Sequence, residues 1–151
     1  MVELLIVIAL AFILVIASIP IYGNLQVRAQ LHESGAQIVQ ALRSVRENSI
    51  ARYGNSAHGI FFNINSAGID SYILYRGSSY ATRDVDFDRA QSLESALILT
   101  NLSFTTTPEG IDVNFSQSLG RPNNIGNLLL THISQGEMVI SVNNLGKIDY
   151  E

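Results

Sequence analysis

Glu3 is the one charged side chain in the opening stretch MVELLIVIALAFILVIASIPIY, residues 1–22, and Pro20 is its one helix-breaking residue. A carboxylate in hydrocarbon costs roughly 2.5–3.5 kcal/mol, so it persists where a cation comes to meet it. The first Arg is Arg28 and no Lys precedes it, so no side chain within the stretch can play that part. Pro20 withholds a backbone N–H and crowds the turn before it. With Gly23 close behind, the sequence predicts a bend or local melting of the helix there.

Other residue sets fail as chemistry. Asp84, Asp86 and Asp88 alternate as calcium ligands could, but the loop glycine position holds Arg89 and the closing glutamate position holds Ser95, with Glu94 one residue early. A solvated acidic loop is expected. His32, His58 and His132 lie in separate segments without ligand spacing, and with no Cys they cannot complete a zinc site. They are expected at the surface or half-buried. Neither a Gly-x-Ser-x-Gly elbow nor a glycine-rich phosphate loop occurs. The sequence therefore predicts no catalytic residues, no metal and no cofactor.

The elements that hold Glu3 and Pro20 follow from patterning. About twenty apolar residues at a 1.5 Å rise cross a ~30 Å hydrocarbon layer, so residues 1–22 are expected to be the transmembrane half of a helix. A secretory signal peptide needs a basic segment ahead of a shorter apolar run, and no Lys or Arg precedes Leu4. A buried core helix of this kind would need more chain to wrap it than the remainder provides.

Residues 23–53 continue as an amphipathic half, with Leu25, Leu31, Ile38, Leu42, Val45 and Ser49 on one stripe. Arg28, His32, Glu33, Arg43, Arg46 and Glu47 fall between them, and Arg43 is spaced to pair with Glu47. Tyr53-Gly54-Asn55-Ser56 supplies the stop.

From residue 54 to 151 the period shortens to that of strands. Segments 58–64 and 71–75 flank Asn65-Ser66-Ala67-Gly68, a hairpin by turn chemistry. Further strands are expected at 96–104, 111–115, 127–133, 138–142 and 147–150, with loops at 80–95 and 118–127. The fold class is α+β: a long helix packed on an antiparallel β-rich head. A net charge of −4 offers no general attraction to nucleic acid. Arg76, Arg83, Arg89 and Arg121 are interleaved with Asp70, Asp84, Asp86 and Asp88, as on a solvated surface.

The run VELLIVIALAFILVIASIP resembles the N-terminal segment of type IV pilins and type II secretion pseudopilins. That family carries a glutamate early in an apolar helix and often a proline seventeen residues later, the spacing of Glu3 and Pro20. ALRSVRENSIARYGNSAHGIFF, VNFSQSLGRPNNIGNLLL and VISVNNLGKI are similar to segments of H-type minor pseudopilins and FimT-like minor pilins.

The resemblance implies a non-enzymatic, mostly minor subunit of a pilus-like or secretion pseudopilus filament. It would be anchored in the cytoplasmic membrane with its head outside the cytoplasm. Its implied partners are the lipid bilayer, an inner-membrane assembly platform, other pilin or pseudopilin subunits, and prepilin peptidase acting on a precursor. In such a precursor a basic leader ending in Gly, then Phe, would stand ahead of Met1. Glu3 would pair with the N-terminal amine of a neighbouring subunit, and Pro20 with Gly23 would let the helix melt on assembly.

Two alternatives remain open. One is a DNA-binding minor pilin of an uptake system, although the C-terminus, KIDYE, sets Lys147 against Asp149 and Glu151. The other is an anchored extracytoplasmic domain that never polymerises.

Overall fold

A computed structural model of the chain describes residues 2–65 and 68–151, with the side chains of residues 15–22 left aside. Helix α1 runs from Val2 to Ile50, and a single-turn helix at Tyr53–Asn55 follows it. Arg52 and Gly54 take left-handed φ values, which turns the chain back along the helix. Eight strands follow: β1 His58–Asn63, β2 Ser71–Arg76, β3 Asp84–Ser92, β4 Leu97–Asn101, β5 Ile111–Phe115, β6 Gly126–His132, β7 Glu137–Val142 and β8 Ile148–Tyr150. They form two antiparallel four-stranded sheets in the orders β3-β2-β1-β5 and β4-β6-β7-β8. The α+β class with one long N-terminal helix on antiparallel sheets is thus observed.

One core joins the helix to both sheets. Leu31, Ile38, Val39, Leu42 and Val45 of α1 are buried among Ile60, Phe62, Val113 and Phe115 of the first sheet and Leu128, Leu130, Ile140 and Ile148 of the second. Each such side chain contributes about 1.5–3 kcal/mol by leaving water. Gly35 lets the second sheet come close, because a Cβ there would overlap Met138 Sδ. The stripe predicted from periodicity is correct from Leu31 to Ser49, but Leu25 is exposed, so the head's apolar packing on the helix begins one to two turns later than expected.

Strand β1 is buried on five of its six residues because it is central in its sheet and covered on both faces. β6 and β7 show period-two burial, with Leu128, Leu130, Met138, Ile140 and Val142 inward. The turn linking β1 to β2 is where the sequence places it, although Ser66 and Ala67 lie outside the described residues.

Several expectations are corrected. Residues 84–92, expected within a loop, form edge strand β3, almost wholly exposed and paired to β2. Without a buried face it shows no apolar alternation, and its charges suit an edge that must resist pairing with other chains. Arg43 does not bond Glu47; its guanidinium donates to the Ile148 carbonyl at 3.1 Å, fastening the last strand to the helix. Asp70, grouped with surface acids, is buried and accepts two backbone N–H groups. His58 and His132 are buried rather than superficial, while His32 is exposed.

Candidate functional site

The N-terminal arm of α1 is set apart from the head by what it leaves uncovered. Val2, Leu4, Leu5, Ile6, Val7, Ile8, Leu10, Phe12, Ile13 and Leu14 are all exposed, so the described apolar surface covers every side of the helix. A soluble monomer rarely leaves such a continuous apolar surface without a partner. Among the described residues no helix is long and apolar enough to cross a membrane. The described part of the apolar run, residues 2–14, covers about 20 Å of axis at a 1.5 Å rise. Residues 15–22, which lengthen the run in the sequence, lie outside the described side chains.

Glu3 lies in the first turn of α1 and is exposed. A carboxylate there complements the partial positive charge of the helix N-terminus. Among the described residues it has no ion-pair partner, the pairs being Arg76 with Asp84, Arg83 with Asp88 and Lys147 with Asp149. The helix is assigned without interruption through Pro20, whose side chain lies outside the described residues. Gly23 is exposed, and a Cβ built on it would meet nothing within 4 Å. Glu3, Pro20 and Gly23 thus share one helix but not one pocket; any site they form is a surface along the arm.

Two of the head's arginines, Arg76 and Arg83, are occupied with its own structure. Arg76 pairs with Asp84 while its guanidinium carbon sits 3.4 Å from the centre of the Phe87 ring. Arg83 pairs with Asp88 at 2.8 Å and stacks on Tyr80 at 3.7 Å. The hydrogen bond to Asp88 holds the Arg83 guanidinium above its usual range. Arg46 donates to the carbonyls of Gly120 and Leu145, and Arg52 donates to the Ser118 hydroxyl at 2.6 Å. Arg28, Arg89 and Arg121 are exposed, and they fall in α1, in β3 and in the loop between β5 and β6 respectively.

The buried polar network sequence reasoning missed is Tyr75, Asp112 and Asn114. The Tyr75 hydroxyl donates to Asp112 Oδ1 at 2.5 Å and accepts from Asn114 Nδ2 at 3.1 Å. Asp112 Oδ2 accepts the Tyr80 N–H at 3.1 Å, so each carboxylate oxygen already has a donor. Burial, then the bond to Asp112, pushes the Tyr75 phenol far above its ordinary range. This is a locked strut, with no free base and no ready proton. The signal available in sequence, aromatic and polar residues alternating on two strands, does not distinguish a strut from a surface.

An open groove of about 780 Å³ runs between α1 and the β2–β3 pair. Glu33, Gln37, Gln40, Tyr72, Arg89 and Gln91 line it, a mixed polar surface without a nucleophile and base set together. Among the described residues no group of His, Cys, Asp or Glu could hold a metal ion. Asp84 and Asp88, the expected solvated acids, are neutralised by arginines instead. In comparisons with known proteins, no family model, no curated protein and no solved structure matches this chain.

Proposed function

We propose that this chain is a structural subunit, more fitted to a minor than a major role, of a type IV pilus-like or type II secretion pseudopilus filament. The observation that carries the reading is the division of α1. Its first part is apolar and uncovered on every side with one carboxylate in the first turn, and its second part is the spine of a two-sheet head. In this reading the arm, residues 1–22, anchors in the cytoplasmic membrane before assembly and bundles with neighbouring helices afterwards. The Glu3 carboxylate meets the N-terminal amine of the next subunit. Two charges costly in hydrocarbon are then neutralised together, and their attraction holds only at one axial register.

The pairing of Arg76 and Arg83 with aspartates weighs against the DNA-binding alternative, since phosphate contacts need free cations. The test restores a basic leader ending in Gly-Phe ahead of the chain and follows two readouts for Glu3→Ala. Membrane insertion is expected to be unchanged while recovery in sheared filaments falls at least tenfold. Normal recovery in filaments would sink the pairing role. Absence of the unsubstituted chain from both membranes and filaments would sink the whole reading.

A further inference from the structure

The pole of the head next to the arm carries an uncovered isoleucine. β6 and β7 are joined by residues 133–136, a turn closed by the His132 N–H donating to the Gly136 carbonyl at 3.1 Å. Gly136 takes a φ of +93°, a conformation costly for other residues, and so brings the turn back beside Leu31 of α1. The turn is fastened to the helix as well. Gln135 Nε2 donates to Asn24 Oδ1 at 2.6 Å, and His132 Nε2 lies 3.2 Å from Gln30 Oε1.

The bond from Gln135 to Asn24 fixes the level of the turn's tip along the axis. The apolar run ends at Tyr22, so Asn24 lies about 3 Å beyond it at 1.5 Å per residue. The headgroup layer on each side of a bilayer is roughly 5–8 Å thick. If residues 1–22 occupy the hydrocarbon, the tip of the β6–β7 turn stands inside that layer. On the turn Ile133 is 65% exposed, and next to Asn24 on the helix Leu25 is 60% exposed. The turn itself, Ile133-Ser134-Gln135-Gly136, carries no charge, and the acid Glu137 follows it directly. Apolar insertion, rather than attraction to anionic headgroups, is what this pole offers.

We infer that the β6–β7 turn is a second membrane contact, in which Ile133 inserts into the interfacial layer of the bilayer. The head then rests on the membrane at a fixed tilt instead of swinging on its anchor. This contact rests on the anchoring reading above. Leu119, 65% exposed on a loop held by Arg46 and Arg52 near the C-terminal end of α1, is an equally exposed residue at the opposite pole.

The chain contains no Trp, so a single introduced Trp reports alone. Phe12→Trp, Ile133→Trp and Leu119→Trp variants of the full chain are reconstituted in phosphatidylcholine vesicles. Some vesicles carry lipids brominated near the headgroup and others lipids brominated near the chain end. The expected result is quenching of Phe12→Trp, and for Ile133→Trp a blue-shifted emission quenched by the headgroup-proximal bromines at low and high salt alike. Leu119→Trp should stay red and unquenched.

If Phe12→Trp is quenched while Ile133→Trp behaves like Leu119→Trp, the second contact is overturned and the anchor stands. Blue-shifted but unquenched Ile133→Trp means that protein covers the turn, and quenching lost in high salt means electrostatic attraction; either overturns apolar insertion. No quenching of Phe12→Trp overturns anchor and contact together.

Discussion

The Asp70 carboxylate, in the turn leading into β2, accepts the backbone N–H of Leu99 in β4 at 2.7 Å and so ties one sheet to the edge of the other. Its second oxygen accepts the Asn65 N–H, also at 2.7 Å, and its own carbonyl accepts the Leu93 N–H at 2.9 Å. An edge strand usually leaves donors for water or another chain. Here a buried acid takes one of them.

Asp70→Asn is expected to destabilise the head, because its amide must turn one N–H₂ towards a backbone donor. A lost bond with an unmatched buried partner costs about 1–3 kcal/mol. Thermal unfolding of the full chain in detergent, followed by near-UV circular dichroism, measures it. An unchanged midpoint would show that the bridge contributes nothing net.

Gly35→Ala sets two effects against each other. Removing a glycine from a helix interior gains about 1 kcal/mol, whereas overpacking a filled core costs about 1–3 kcal/mol. The new Cβ overlaps Met138 Sδ, and Met138 is buried and has no solvent to move into. Overpacking is expected to win. Adding Met138→Ala should make the Gly35→Ala step less costly, or reverse it, and additive effects in that double-mutant cycle would argue against the contact.

Tyr75→Phe removes a hydroxyl that serves both Asp112 and Asn114. A loss of about 1–3 kcal/mol is expected from the unmatched carboxylate and amide. The raised phenol pKa also has a sign. The protonated phenol stabilises the fold below its ordinary value of 10.0, and that stability is lost as pH rises beyond it. Stability measured from pH 9 upward should fall less steeply in Tyr75→Phe, and parallel curves would count against the buried phenol as a cause.

His58 has its pKa lowered, chiefly by burial; a backbone hydrogen bond at Ser56 opposes the shift and the nearby Arg76 charge adds to it. The neutral ring is the one that fits the fold. Its contribution is complete above the ordinary value of 6.5 and is lost as pH falls below it, when the unfolded chain takes the proton first. Unfolding midpoints should therefore decline from pH 7 towards pH 5. His58→Gln should flatten that decline, and an equal slope in both proteins would assign it to other groups.

How much of this was readable from sequence depends on what each element buries. The helix from Leu31 to Ser49 and strands such as β5 and β7 announce themselves because one face enters the core and leaves a periodic trace. β3 leaves none, being an exposed edge stitched on by the pairing of Arg76 with Asp84. Arg43 and Asp70 were misassigned for a different reason. Their partners, Ile148 and Leu99, are distant in the chain and adjacent only after folding. The apolar arm and Glu3 are visible from sequence at once, and among the described residues no cation pairs with Glu3.

Because a single helix, Val2–Ile50, serves both as the arm and as the spine of the head, the described residues place no loop between the two at which tension could be absorbed. A pull on the arm would run along the axis into the Leu31–Val45 ridge and load both sheets in shear, many side chains resisting at once. Peeling the head away strand by strand would need a force from another direction. A body built this way is suited to transmitting traction lengthwise.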